Sequence, residues 1–273
     1  MVYAHESNLD TKIRDDYEGY GSEIEVFKER IYKEYREKLE ELDYASKKIE
    51  VFKDATDLIE DYITKIKNFE DAHEKITSQS KFKSTFIEEI STYLFKDLPL
   101  ISDGPYGIYN QNIFAGMKIN NQMKIDILKK NVDFCVGKKV KLKVDDEAPE
   151  FIIMPVVCVE VKTYLDATMF GEVQWSSRQI KNASPNVKTY VFMESNGVGK
   201  EKIIAARYDN NLNEMIRLRK GSRDFNQPIN PEALLQYYEE ISSAIENGNV
   251  EDTIEPFGRL FDRKKWFWYL HQI

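Results

Sequence analysis

Two acids and a lysine set in short apolar strands are the residues of this chain whose types and spacing suit chemistry. The run Pro155-Val156-Val157-Cys158-Val159-Glu160-Val161-Lys162-Thr163 is β-branched and alternates with the period of a strand. Period two sends Val157, Val159 and Val161 to one face and Glu160 with Lys162 to the other. Upstream, Val132-Asp133-Phe134-Cys135-Val136 reads as a second strand whose apolar face is Val132, Phe134 and Val136, with Asp133 on the opposite face. The spacing leaves room for a hairpin with a polar loop from Val144 to Glu150, which brings Asp133, Glu160 and Lys162 to one spot. A charge in an apolar strand is costly unless it is paired or bound to a metal. A cross-strand ion pair and a metal-binding site both meet that demand, and the residues alone leave the two open.

The pattern Asp133…Glu160-x-Lys162 resembles the PD-(D/E)xK nuclease core of type II restriction endonucleases, with Val132 in place of the proline. The likeness extends further. Ser84-Thr85-Phe86-Ile87-Glu88-Glu89-Ile90 with Tyr93 to Asp97, Asn131 to Phe134, Glu160 to Asp166 with Met169-Phe170, and Ser184 to Lys188 are similar to the family of the BbvCI restriction endonuclease. The resemblance implies an α/β (α+β) fold with a mixed central sheet flanked by helices. It also implies Mg²⁺-dependent hydrolysis of a phosphodiester in a specific short double-stranded DNA sequence, one strand per subunit. Mg²⁺ dehydrates reluctantly, so two carboxylates can hold it while positions stay open for water and a phosphate oxygen. By that resemblance Asp133 and Glu160 are the metal ligands, the Val161 carbonyl is a third, and Lys162 positions or deprotonates the attacking water. The helix before the hairpin supplies an extra acid, assigned to Glu89 in preference to Glu88. The implied partners are a second, related subunit in a heterodimer, with a homodimer open, and a companion DNA methyltransferase. The competing readings are a repair or recombination nuclease of the same fold and a non-catalytic DNA-binding protein whose Glu-x-Lys is structural.

The elements that must position these residues are also readable. Residues 1–78 form an N-terminal helical region, suited to dimerisation or to clamping DNA, and residues 79–273 form the nuclease domain. Met1 to Gly21 is polar and mixed. Ser22 reads as an N-cap, and from there to about Ile76 apolar residues recur at helical spacing without glycine or proline, folding back near Asp43 to Ser46. Thr77-Ser78-Gln79-Ser80 breaks the pattern. The next helix, about Phe82 to Phe95, carries Phe86, Ile90 and Tyr93 on its core side, with Glu89 on that flank. A strand near Met123 to Leu128 carries Asp126, a competitor to Asp133.

Beyond the hairpin, a helix from about Glu172 to Ala183 packs through Val173, Ser176 or Ser177, Ile180 and Ala183 and gathers Gln174, Arg178 and Lys181 on another side. The resemblance implies that this side reaches the DNA backbone, and a solvated face is the alternative. Val187 to Met193 reads as a strand and Asn196 to Lys200 as a hairpin turn into another strand, Ile203 to Tyr208, because the Gly-Lys spacing is not that of a phosphate loop. Arg217, Arg219, Lys220 and Arg223, followed by Asn226 and Gln227, carry side chains suited to base edges. Asn230-Pro231 opens a helix ending near Gly248, and the aromatic tail from Arg263 to Leu270 reads as a docked segment.

Bulk properties narrow the class. The net charge of −8 excludes an indiscriminate nucleic-acid binder but allows a locally basic cleft. The two cysteines, Cys135 and Cys158, fall on strands and read as buried thiols in a reducing compartment. No apolar run reaches membrane-spanning length and no signal peptide is visible, so no membrane is expected and the location is read as cytoplasmic. His5, His73 and His271 lack metal spacing and take no role.

Overall fold

The computed structural model of the chain describes residues 2–143, 149–209, 211–220 and 227–247. It opens with helices α1 (Ala4–Arg14), α2 (Gly21–Phe27), α3 (Lys33–Glu40) and α4 (Ile49–Ala72). A π-turn at Lys28–Tyr32 joins α2 to α3. The chain reverses at Tyr44–Ser46, where Lys47 adopts a left-handed φ of 54°. In α4, Phe52, Ala55, Ile59, Tyr62 and Ile66 recur at helical spacing, so one stripe is buried and the charged flanks stay in water. The polar segment before Gly21 shows no such stripe in the sequence, yet it folds as α1. The buried side chains of α1 are His5 and Leu9, and the helix is held by packing on α5 (Phe82–Phe95).

After the short α6 (Pro99–Ser102) come β1 (Gly107–Tyr109), β2 (Ile113–Ile119), β3 (Ile125–Lys130), β4 (Phe134–Leu142) and β5 (Glu150–Leu165). They are followed by α7 (Ala167–Ala183), β6 (Lys188–Asn196), α8 (Lys200–Arg207), β7 (Glu214–Arg217) and α9 (Pro231–Asn247). The described strands form one mixed sheet in the order β1-β4-β5-β2-β3, with β6 also beside β5 and β7 beyond it. β5 runs antiparallel to β4 along one edge. Along its other edge it is parallel to β2 at Ile153 and to β6 from Val157 to Leu165. The register shifts at Val136/Gly137, and a side chain at Gly137 would begin 2.6 Å from the Met154 carbonyl oxygen, so the close approach there requires glycine.

The period-two pattern sorts the two faces. Val157, Val159 and Val161 join Phe134, Val136 and Phe192 in a core that also takes in Phe52, Tyr62, Phe86 and Tyr237. Cys135 and Cys158, paired in register, pack with Ile180 of α7 on the opposite face as free thiols. Thus α5 and α9, backed by α4, cover one side and α7 the other, which is the mixed sheet flanked by helices expected from the sequence.

The segment after β6 differs from expectation. Ile203 to Tyr208 lies largely in α8 and is not a strand, so Asn196 to Lys200 is a strand-to-helix turn. The Asn196 side chain accepts from Val198 N–H (3.0 Å) to close it. A short apolar pair followed by two alanines fits either period, and burial of Ala206 against Phe170 and Met193 favours the helix. Asn230 does accept from Glu232 N–H (2.9 Å) at the start of α9. The loop residues 144–148, Arg223, Asn226 and the 263–270 tail lie outside the described residues. Among those described, no helix is long and apolar enough to cross a membrane.

Candidate active site

Asp133 stands one residue before β4, and Glu160 and Lys162 sit in the half of β5 that lies between β4 and β6. The pairing Phe134↔Val159 carries Asp133 alongside Glu160. Asp133 Oδ2 accepts from Val161 N–H (2.7 Å) and from Lys162 Nζ (3.0 Å). The same ammonium reaches Glu160 Oε2 (3.3 Å) and the Val161 carbonyl (3.0 Å). Glu160 is steadied from α7, where the Ser176 hydroxyl donates to Oε1 (2.9 Å). The three charged side chains are between 17% and 27% exposed, so they are reachable yet largely shielded.

The electrostatics follow from that crowding. Burial pulls the Lys162 ammonium down, but Asp133 and Glu160 together outweigh it and hold its pKa above the usual lysine range. Lys162 is therefore a firm cation while both carboxylates face it. From α5, Glu88 lies within electrostatic reach of Asp133, Lys162 and Glu160. Burial first, then the Asp133 charge, pushes its carboxyl up to about 8, against the pull of Lys162.

Glu89, the acid expected from α5, does not join this cluster. It is fully buried and accepts from His5 N–H (2.7 Å), Glu6 N–H (3.0 Å), Tyr32 OH (2.8 Å) and Tyr93 OH. The two amides belong to the first turn of α1, so Glu89 caps that helix from another element. The flank of α5 shared with Phe86 and Tyr93 faces the N-terminal helices, and Glu88 is the neighbour turned toward the sheet end. Asp126 is also elsewhere, bonded to Asn120 (3.0 Å) within the β2–β3 hairpin.

The expected DNA-contacting residues are scattered. Arg178 pairs with Asp209 (3.1 Å), and Gln174 lines a separate cleft with Phe170 and Lys202. Lys181 is lowered to about 8 by burial and then by Lys188. Arg217 is exposed on β7, level with Lys162 but two strands over, and lines a separate cleft with Met193 and Arg207. Arg219 is committed to the interior: it bonds Glu194 (2.7 Å), the Gln227 carbonyl (2.7 Å) and both carboxylate oxygens of Glu60, with only 11% of its side chain exposed. Arg223 lies outside the described residues. The side of α7 that meets the charged cluster presents Thr168, Glu172, Trp175 and Ser176, across an open cleft of about 650 Å³ from Lys130, Glu160 and Lys162. Nothing in the sequence spacing joins residues of β3 to α7, so Lys130, Trp175 and Ser176 emerge as neighbours of the site only in the fold.

No group of three or more His, Cys, Asp or Glu side chains forms a ready-made metal cage among the described residues. The oxygen set here is two carboxylates and a backbone carbonyl, all three in contact with one ammonium.

The comparisons with known proteins accord with this architecture. The chain is similar in structure to the native BbvCI A2B2 tetramer determined at low resolution, with a TM-score of 0.72 and 20% sequence identity over 90% of this chain and 97% of that one. No curated protein shows significant sequence similarity to it. The model of the Bpu10I restriction endonuclease family matches residues 79–242, which is more than half of the chain and contains every member of the charged cluster. The chain belongs to the Bpu10I restriction endonuclease family.

Proposed function

We propose that this chain is the Mg²⁺-dependent, strand-cutting subunit of a type II restriction endonuclease, with Asp133, Glu160 and Lys162 at its reacting centre. The observation that carries the reading is the position of the Lys162 ammonium, a monovalent stand-in touching Asp133 Oδ2, Glu160 Oε2 and the Val161 carbonyl together. Those three oxygens fit a hard cation that retains several waters. Such a cation supplies Lewis-acid neutralisation and a bound water of lowered pKa.

The protein's own groups divide the remaining work. Asp133 is held in orientation by the Val161 amide, and Glu160 by Ser176. Once both carboxylates serve as ligands, Lys162 loses the two charges that lift its pKa, and burial acts alone to favour the neutral amine. The side chain is then suited to exchange a proton with the attacking water or to face the charge developing on the phosphate.

One such centre cuts one strand, so cleavage of a duplex needs two. The BbvCI structure is an A2B2 assembly, and on that likeness this chain pairs with a second, related subunit. A methyltransferase that protects the host's own copies of the sequence completes the system.

The test is to purify the chain with and without its co-expressed neighbour and incubate it with plasmid and Mg²⁺. Discrete fragments or nicks are expected with the partner present. A smear would favour an exonuclease of the same fold, and intact plasmid with the partner present would favour a non-catalytic DNA-binding role. Lys162→Glu is expected to fold and bind DNA while this subunit no longer cuts; retained cutting would remove Lys162 from the mechanism.

A further inference from the structure

The cleft that holds Glu160 and Lys162 has a second wall that the hydrolytic chemistry leaves unused. It is made by Lys130, the last residue of β3, and Trp175 on α7. The indole is 60% exposed, and the Lys130 ammonium lies 5.2 Å from the indole ring centre. Lys130 is half-buried, and among the described residues it sits in no ion pair. A large aromatic face and a cation, side by side in an open cleft, match a sugar–phosphate unit, which offers an apolar ring beside an anion.

We propose that Lys130 and Trp175 bind the backbone of the DNA strand being cut, at the phosphate and deoxyribose that flank the one held by Asp133, Glu160 and Lys162. The inference rests on the nuclease reading above and extends it by one nucleotide. Lys130 pairs with the flanking phosphate, and the indole face packs on the sugar. Two observations separate this from a chance pairing of surface residues. Lys130 closes β3, which pairs with β2, and it lines the same cleft as Glu160 and Lys162, so the sheet sets it beside the site. Trp175 directly precedes Ser176, whose hydroxyl holds Glu160, so α7 sets both at once. Glu172 stands exposed on the same rim and repels a backbone, which directs the strand to the Lys130 side.

The experiment uses the full chain with its co-expressed partner, under single-turnover conditions, on duplexes carrying a neutral methylphosphonate at one phosphate near the cut. Lys130→Ala and Trp175→Ala are each expected to slow cleavage roughly tenfold, and Trp175→Phe to recover most of the loss. The Mg²⁺ concentration for half-maximal rate stays unchanged, which sets this contact apart from the metal ligands. Lys130→Ala also lowers the slope of log affinity against log salt by about 0.9. One flanking methylphosphonate slows the unaltered protein but not Lys130→Ala. Wild-type cleavage by both alanine variants, or a methylphosphonate effect equal in both proteins at every position, overturns the proposal. Should the unaltered complex fail to cut, the nuclease reading falls, and the contact is judged by Trp175 fluorescence in a Trp266→Phe/Trp268→Phe background. Quenching by duplex that Lys130→Ala weakens supports the contact, and unchanged fluorescence overturns it.

Discussion

Two adjacent glutamates on α5 offer a sharp separation of fold from chemistry. Glu89→Ala removes the acceptor of four buried donors: the amides of His5 and Glu6 and the hydroxyls of Tyr32 and Tyr93. A buried donor left without a partner costs about 1–3 kcal/mol. The two tyrosines can bond each other, and the amides at the start of α1 can recruit water, so the net loss is smaller than four full penalties. A loss of about 3–5 kcal/mol is expected, a large part of the roughly 5–15 kcal/mol that holds a domain folded. Glu89→Gln keeps the shape and one acceptor oxygen and should lose about half as much. Glu88→Gln should stay within about 1 kcal/mol of the parent, because that carboxyl carries a burial penalty of its own, while cleavage slows. Urea unfolding followed by circular dichroism, set beside plasmid cleavage at a temperature where all variants are folded, gives both numbers. A Glu89→Gln protein as stable as the parent but unable to cut would place Glu89 in the reacting centre and refute the division.

Three further outcomes follow from other contacts. His5 is fully buried, with its pKa lowered to about 3 by burial. The unfolded imidazole takes up a proton near 6.5 while the folded one resists, so stability is lost as pH falls from about 6.5 toward 3. The slope is about 1.4 kcal/mol per pH unit, or about 2 kcal/mol by pH 5. Glu89, raised by burial, acts in the opposite sense, so urea midpoints at pH 7 and 5 for His5→Gln against the parent isolate the histidine, and an unchanged acid slope would count against it. Ser176→Ala removes the hydroxyl that holds Glu160 and should raise the Mg²⁺ concentration for half-maximal cleavage by roughly 10–100-fold, read from a cation titration. Arg219→Ala leaves the buried Glu194 with Lys83 as its remaining cation and removes the contacts to Glu60, and should cost about 1.5–3 kcal/mol in urea unfolding with no change in DNA affinity of the folded protein.

Local patterns were legible in the sequence where one neighbouring element decides them. The β4–β5 hairpin is written in strict alternation, so Asp133, Glu160 and Lys162 emerge on one face without reference to the rest of the chain. The stripe of α4 and the Asn230-Pro231 start of α9 are equally local. What escapes is decided by distant partners. α1 exists because Glu89 and α5 receive it, not because its own residues alternate. Choosing between Glu88 and Glu89 needs the direction from which the N-terminal helices arrive, and helical spacing only says that the two point apart. Arg219 has the composition of a base-reading residue, yet Glu60, far away in sequence, claims it. The flank of α7 that meets the site depends on how the helix rolls on Cys135, Cys158 and Ile113, so Gln174 and Arg178 turn away and Trp175 turns in.

The charge balance of the cluster explains why a lysine belongs among the acids at all. Two half-shielded carboxylates that accept from one ammonium leave one uncompensated negative charge, and Glu88 avoids adding another because burial and Asp133 keep its proton on at neutral pH. Such a cluster is tolerable without a divalent ion, since each carboxylate keeps a cation and a hydrogen-bond donor. It would also exchange: a divalent ion held by the same oxygens would repel the ammonium and turn the net charge positive, to the benefit of an anionic phosphate. On the proposed reading, the same side chain would stabilise the metal-free fold and be freed for the reaction once the carboxylates served as ligands. A neutral residue at 162 would remove the second role and leave the first unfilled, so Lys162→Met should lower both unfolding midpoint without Mg²⁺ and cleavage with it. Addition of Mg²⁺ should restore the midpoint but not the cleavage, and recovery of both together would mean that the lysine acts only as a structural counter-ion.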